Sequence, residues 1–152
     1  GDKMKIAVAS DHAGYSAKQE IVAYLNEKGY TAIDLGTYSL DSCDYPDYAL
    51  KCANEVVSGR ADFGILICGT GIGMAICANK VKGIRCANCS DEFSTRMTRE
   101  HNDANMLALG ARVISVEKMK ELVDIFLSTP FSNEEKHIKR IAKITKAENS
   151  QL

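Results

Sequence analysis

Residues 62–80 read DFGILICGTGIGMAICANK. The apolar run Ile65-Leu66-Ile67 delivers Cys68 into a loop containing Gly69, Gly71 and Gly73, after which the chain reads as a helix. A short apolar run that stops at glycines is a buried strand, and the segment behind it completes a strand-turn-helix unit. Glycines in such a turn suit an anion, whereas a cysteine suits a reacting carbon, a metal or a disulfide.

The same alternation continues in both directions. Strands are predicted at 5–10, 31–36, 63–68, 83–89 and 106–115, the last built from MLALG and RVIS. Helices are predicted at 16–29, 46–59, 72–80, 91–101, 116–127 and 133–147. Gly29 and Gly59 stop two of them, and Pro46 opens one at a position that tolerates proline. In the last helix Ile138, Ile141 and Ile144 form the expected buried face, with Lys136 and Arg140 four apart on another. Strands apolar on both faces, alternating with amphipathic helices, imply a parallel sheet covered on both sides. The fold class is α/β, an open three-layer αβα sandwich with a five-stranded, Rossmann-like parallel sheet. Ligands in such sheets bind beyond the carboxyl ends of the strands. Asp11-His12, Gly36-Thr37, Cys68-Gly69 and Cys89-Ser90 all fall there.

The 152 residues suit one domain, here 4–148, long enough to bury about two-thirds of the unfolded surface. Gly1-Asp2-Lys3 ahead of Met4 read as a cloning remnant. Lys plus Arg number 19 and Asp plus Glu 20, for a net charge of −1, so a basic footprint for nucleic acid is missing. No apolar run is long enough for a bilayer and no signal-peptide core is present, which predicts a cytoplasmic protein without a membrane partner. Six cysteines (43, 52, 68, 77, 86 and 89) lie mostly in apolar segments, where cytosolic thiols stay reduced and act as small core hydrophobes. Cys86 and Cys89 form one C-x-x-C with no second pair to complete a zinc site, so no metal is expected.

The glycine loop is not a nucleotide motif. A dinucleotide fingerprint needs glycine where Met74 stands, and a P-loop needs Gly-Lys-Ser/Thr. Successive glycine amides ahead of a helix instead form a hole for negative charge, with Cys68 at its lip. Two chemistries suit a thiol there: attack on a carbonyl with the hole holding a tetrahedral oxyanion, or proton abstraction beside a carbonyl with the hole holding an enediolate. The pattern leaves both open. Asp11 and His12 follow the first strand, and His101 and Asn102 end the fourth helix; either histidine also suits a plain helix cap. Arg112 between two apolar runs is an awkward charge unless it faces an anion.

These pieces, in this order, resemble the type B ribose-5-phosphate isomerases, a sugar-phosphate isomerase family that also includes galactose-6-phosphate isomerase subunits. The resemblance runs from Met4 to about Ala147 through SDHAG (10–14), DLGT (34–37), DYPDYA (44–49), GILICGTGIGMAICANK (64–80), GIR (83–85), REHNDAN (99–105), LALGARV (107–113) and the basic last helix. It implies aldose–ketose isomerisation of a small phosphorylated sugar, without metal or organic cofactor. By resemblance, Cys68 is the base between C1 and C2, and Thr70 helps move the hydroxyl proton. The amides of Gly69, Gly71, Ile72 and Gly73 bind the enediolate. His101 opens the furanose ring, with Asp11 nearby. His12, Arg112 and Arg140 match phosphate contacts, and Tyr45 and Asn102 line the substrate. Lys136 departs from the arginine that relatives often carry; it still offers a point charge but not a bidentate fork. Some members use a glutamate elsewhere in place of the cysteine, a variant that Cys68 makes unnecessary. The resemblance implies a homodimer, or a tetramer made of two, with the site between subunits and basic groups donated across the interface. The alternatives are a six-carbon sugar-phosphate isomerase of the allose or galactose 6-phosphate type, a non-catalytic nucleotide-binding module, and a thiol redox or zinc protein using Cys86 and Cys89.

Overall fold

A computed structural model describes residues 3–150. Of the expected remnant, Gly1 and Asp2 lie outside the described residues. The elements follow in the order β1 (Lys5–Ser10), α1 (Tyr15–Glu27), β2 (Thr31–Asp34), α2 (Tyr45–Val57), β3 (Phe63–Cys68), α3 (Ile72–Ala78), β4 (Cys86–Asn88), α4 (Glu92–Asn102), β5 (Met106–Gly110), α5 (Val116–Ser128) and α6 (Glu135–Asn149). All strands pair in parallel, in the order β2-β1-β3-β5-β4.

The period-two alternation of strand side chains sorts the core into two layers. Ile6, Val8, Ile65, Ile67, Leu107 and Leu109 meet Ile21 and Leu25 of α1 and Leu122, Val123 and Phe126 of α5 on one face. Ala7, Ala9, Leu66, Cys68, Met106 and Ala108 meet Ala49, Cys52, Ala53 and Val56 of α2 and Met74, Ala75 and Ala78 of α3 on the other. Alanines in β1 let α2 approach closely. On the opposite face Gly14 brings the start of α1 against β3, where a Cβ would stand 2.3 Å from the Ile67 carbonyl oxygen.

Three strands are shorter than expected, each for a local reason. The fifth strand ends at Gly110 rather than 115, because Ala111 and Arg112 donate their amides to the Cys68 and Gly69 carbonyls and the chain turns there. The fourth strand keeps only Cys86–Asn88, since the Asn105 side chain accepts the Arg85 amide. The second ends at Asp34, whose carboxylate accepts from the Gly36 amide. The last helix corrects a stronger expectation. Ile138 and Ile144 are 48% and 50% exposed, Ile141 is half-buried, and the buried residue of α6 is His137. The cysteines also divide: Cys52, Cys68 and Cys89 are buried, while Cys43, Cys77 and Cys86 are half-buried, and all six are free.

Candidate active site

From β1 the chain crosses to β2 on one side of the sheet, and from β3 it proceeds to β4 and β5 on the other. The crevice between β1 and β3 is therefore the topological switch point, where open α/β sheets bind ligands. Asp11 and Cys68 stand on its two lips, joined by the Asp11 amide donating to the Ile67 carbonyl at 3.2 Å. Asp11 is 8% exposed, and its carboxylate accepts from the Gly14 amide at 3.1 Å.

Cys68 is 5% exposed, and its Sγ accepts from the Gly71 amide at 3.1 Å. Gly71 has φ +82°, and a Cβ there would meet Asn88 Nδ2 at 2.4 Å and the Leu109 backbone at 3.0 Å. Both conformation and space thus demand glycine. Thr70 is exposed; its Oγ1 accepts from the Ile72 amide at 3.1 Å, and Ile72 is itself exposed. The Arg112 guanidinium covers Gly69, with Nη1 3.4 Å from where a Cβ would lie. The Tyr45 ring covers Gly73 in the same way, Cε1 standing 2.7 Å from that position.

The segment between β2 and α2 closes the third side. Lys18 is fully buried and donates to both carboxylate oxygens of Asp34 at 2.7 Å, between the rings of Tyr15 and Tyr38. That pair anchors the chain ahead of Gly36 and Thr37, which exchange backbone hydrogen bonds with Ser10. Further on, the Cys43 amide donates to His12 Nδ1 at 3.3 Å, so the neutral ring carries its proton on Nε2.

Asp11, His12, Tyr45, Cys68, Gly69, Thr70, Gly71, Ile72, Gly73 and Arg112 are thus brought to one end of the sheet. His101, Asn102, Lys136 and Arg140 are not. Helix α4 leaves the carboxyl end of β4 and runs back to the start of β5, so His101 and Asn102 lie at the level of Met106 or beyond. Met106 pairs with Gly64 and Gly110 with Cys68, a separation of about 13 Å along the strands. The resemblance places Asp11 near His101; within one chain they stand at opposite ends of the sheet.

The remote residues make a second cluster, centred on one that sequence reading passed over. His137 is 4% exposed, its ring lies beside His101, and its Nδ1 is 2.7 Å from Ser132 Oγ. Burial, then the charge of His101, with smaller pushes from Lys136 and Arg140, lowers its pKa below the ordinary 6.5, opposed by Glu134. The available signal was a histidine three residues before Arg140 on the same helix. Burial raises the Cys86 thiol to about 12 and the Cys89 thiol upward, so neither forms a thiolate readily. Among the described residues no group of three or more His, Cys, Asp or Glu is placed to hold a metal, and no helix is long and apolar enough to cross a membrane.

Comparison with known proteins places this geometry. The family model described as Ribose/Galactose Isomerase matches residues 6–144. Ribose-5-phosphate isomerase B of Escherichia coli is 46% identical over 144 residues, covering 95% of this chain and 96% of that one. The structure of Clostridium thermocellum ribose-5-phosphate isomerase B superposes with a TM-score of 0.94 at 49% identity, over 96% of this chain and 98% of that one. That of the Mycoplasma genitalium enzyme, solved with bound ribulose-5-phosphate, gives 0.93 at 37% identity, over 99% and 100%. A match over nearly the whole length, on a fold whose switch point carries Cys68 and its glycine loop, means that this chain belongs to the ribose/galactose isomerase family.

Proposed function

We propose that the protein interconverts ribose 5-phosphate and ribulose 5-phosphate through an enediolate, as a step of the non-oxidative pentose phosphate route in the cytosol. The observation that carries the mechanism is the Gly71 amide donating to Cys68 Sγ at the lip of the glycine loop. Cys68 takes the proton from one carbon and returns it to the other. The amides of Gly69 and Gly73 hold the charge on the substrate oxygens, joined by those of Gly71 and Ile72 when these oxygens replace Cys68 Sγ and Thr70 Oγ1 as their acceptors, and Thr70 moves the hydroxyl proton. A well-aimed donor in such a hole is worth about 3 kcal/mol of barrier, and a positioned base adds about 10²–10⁴-fold. No metal or organic cofactor has a part in this scheme. His101 opens the ring; His12, Arg112 and Arg140 bind phosphate, helped by Lys136; Tyr45 and Asn102 line the sugar.

These roles require two copies of the chain. Cys68 and His101 face opposite ends of one sheet, so each complete site takes the glycine loop from one subunit and the α4–α6 cluster from its partner. The exposed apolar side chains support this: Ile72 and Ile76 on α3, and Ile138 and Ile144 on α6, are about half exposed in the single chain. An isologous dimer forms two such sites, and dimers can pair further into a tetramer. The test is turnover of a panel of aldose 5- and 6-phosphates by the purified protein. Preference for ribose 5-phosphate supports the proposal, whereas preference for allose or galactose 6-phosphate replaces it with the six-carbon reading.

A further inference from the structure

Asn88 is the last residue of the short edge strand β4, and its side chain reaches in from the rim of the site. Its Nδ2 donates to the Thr70 carbonyl at 3.2 Å and to the Ala108 carbonyl at 3.0 Å. Two carbonyl acceptors fix the amide orientation, since only the NH2 end can serve both. The Thr70 carbonyl and the Gly71 amide are the two ends of one planar trans peptide. Its oxygen end is held by Asn88; its N–H end donates to Cys68 Sγ at 3.1 Å. Gly110 closes the other side, where a Cβ would stand 2.7 Å from the Thr70 oxygen.

We propose that Asn88 is a positioning residue for Cys68, acting through the Thr70–Gly71 peptide. Clamping the carbonyl prevents the peptide from rotating its N–H away from the sulfur. Donation to the carbonyl also polarises the peptide and strengthens the N–H as a donor, as in any hydrogen-bonded chain. A donor aimed at sulfur favours the charged thiolate, because hydrogen bonds to ionised acceptors are the stronger ones. The collision of a Gly71 Cβ with Asn88 Nδ2 follows from the same arrangement. This role rests on the reading of Cys68 as the base.

The test is Asn88→Asp, which keeps the shape but replaces the donor with an acceptor facing two carbonyls, and Asn88→Ala as a second variant. Asn88 is exposed at the edge of the sheet, so both variants are expected to fold. Alkylation of Cys68 by iodoacetamide is followed by mass spectrometry of its peptide across pH, beside turnover of ribose 5-phosphate. The expected result is alkylation at neutral pH slowed about fivefold in Asn88→Asp, with its pH profile displaced upward and kcat lowered more than KM is raised. An alkylation profile identical to wild type in both variants overturns the clamp, whatever happens to turnover. Slowed alkylation with unchanged turnover leaves the clamp standing and overturns Cys68 as the base.

Discussion

The imidazole rings of His137 and His101 lie 4.3 Å apart, centroid to centroid, with their planes 31° from parallel. Two rings so placed cannot both carry a proton cheaply, and Lys136 and Arg140 add positive charge from the same helix. Burial weighs most, and together these effects hold the His137 pKa below its ordinary value, against the pull of Glu134. The cluster that the proposed function assigns to phosphate and ring opening is therefore arranged around an imidazole that resists charging.

This has a consequence for stability. Unfolded, His137 titrates near 6.5; folded, it titrates lower. Below 6.5 the unfolded chain binds the proton first, so His137 contributes stability above that pH and loses it as pH falls through the lowered folded value. Wild type is expected to lose more thermal stability between pH 7.5 and 5.5 than His137→Gln does. Melting curves at the two pH values check this, and an equal loss in both proteins refutes it.

Cys68→Ala is expected to lower kcat by at least about 10²-fold, the contribution of a positioned base, with circular dichroism unchanged. Cys86→Ala touches a half-buried thiol held protonated by burial and is expected to leave kcat within about twofold, apart from a small packing cost. Steady-state kinetics on both variants decide it. A tenth of wild-type kcat surviving in Cys68→Ala removes the cysteine from the base role.

The stretch around Cys68 was legible because it needs only local rules: an apolar run, glycines, a helix. The layers were legible from periodicity, which assigns Ile65 and Ile67 to one face and Leu66 and Cys68 to the other. The short β4 was overread because the Asn105 side chain satisfies an amide that the pattern gave to a strand. The burial expected for Ile138 and Ile144 failed for another reason: helical spacing shows that a face is apolar, not which chain covers it. Lys18 and Asn88 were invisible. A lysine in an amphipathic helix reads as solvated, and nothing local announces that Asp34, sixteen residues on, buries it. Asn88 meets Thr70 only because β4 and β3 both flank β5.

Arg140 is exposed on α6 and makes no packing contribution to the core described above. Arg140→Ala is therefore expected to leave the melting temperature within about 1 °C, a surface change of under about 0.5 kcal/mol. It is expected to raise KM for ribose 5-phosphate about tenfold, since a charge-assisted bond to phosphate is lost. An unchanged KM shows that this face of α6 is merely solvated.

A shared site makes a sharper demand. Cys68→Ala and His101→Asn subunits, each nearly inactive alone, are mixed after unfolding and refolded together. Half of the random dimers are then mixed, and in each one site carries both defects while the other carries none. About a quarter of wild-type activity is expected to return, by the symmetry of an isologous dimer. Recovery no better than the sum of the two separate proteins means that each site is built within one chain.

The last expectation separates His101 from Cys68 in time. Ribose 5-phosphate exists chiefly as a closed ring, so its carbonyl must be exposed before any proton leaves C2. In the proposed dimer the His101 imidazole passes a proton to the ring oxygen, with Asp11 donated across the proposed interface to relay it. Ribulose 5-phosphate is an open-chain ketose and needs no such step. His101→Asn is thus expected to cut turnover of ribose 5-phosphate by about 10²-fold while sparing proton exchange at C1 of ribulose 5-phosphate to within a few-fold. The two directions are bound by the overall equilibrium only when the ring closes on the enzyme; the variant can release the open-chain aldose to close in solution. Initial rates in both directions, with deuterium uptake at the ketose C1 read by NMR, measure the two steps apart. Equal fractional losses would place His101 in the proton transfer itself, and Cys68 would no longer act there alone.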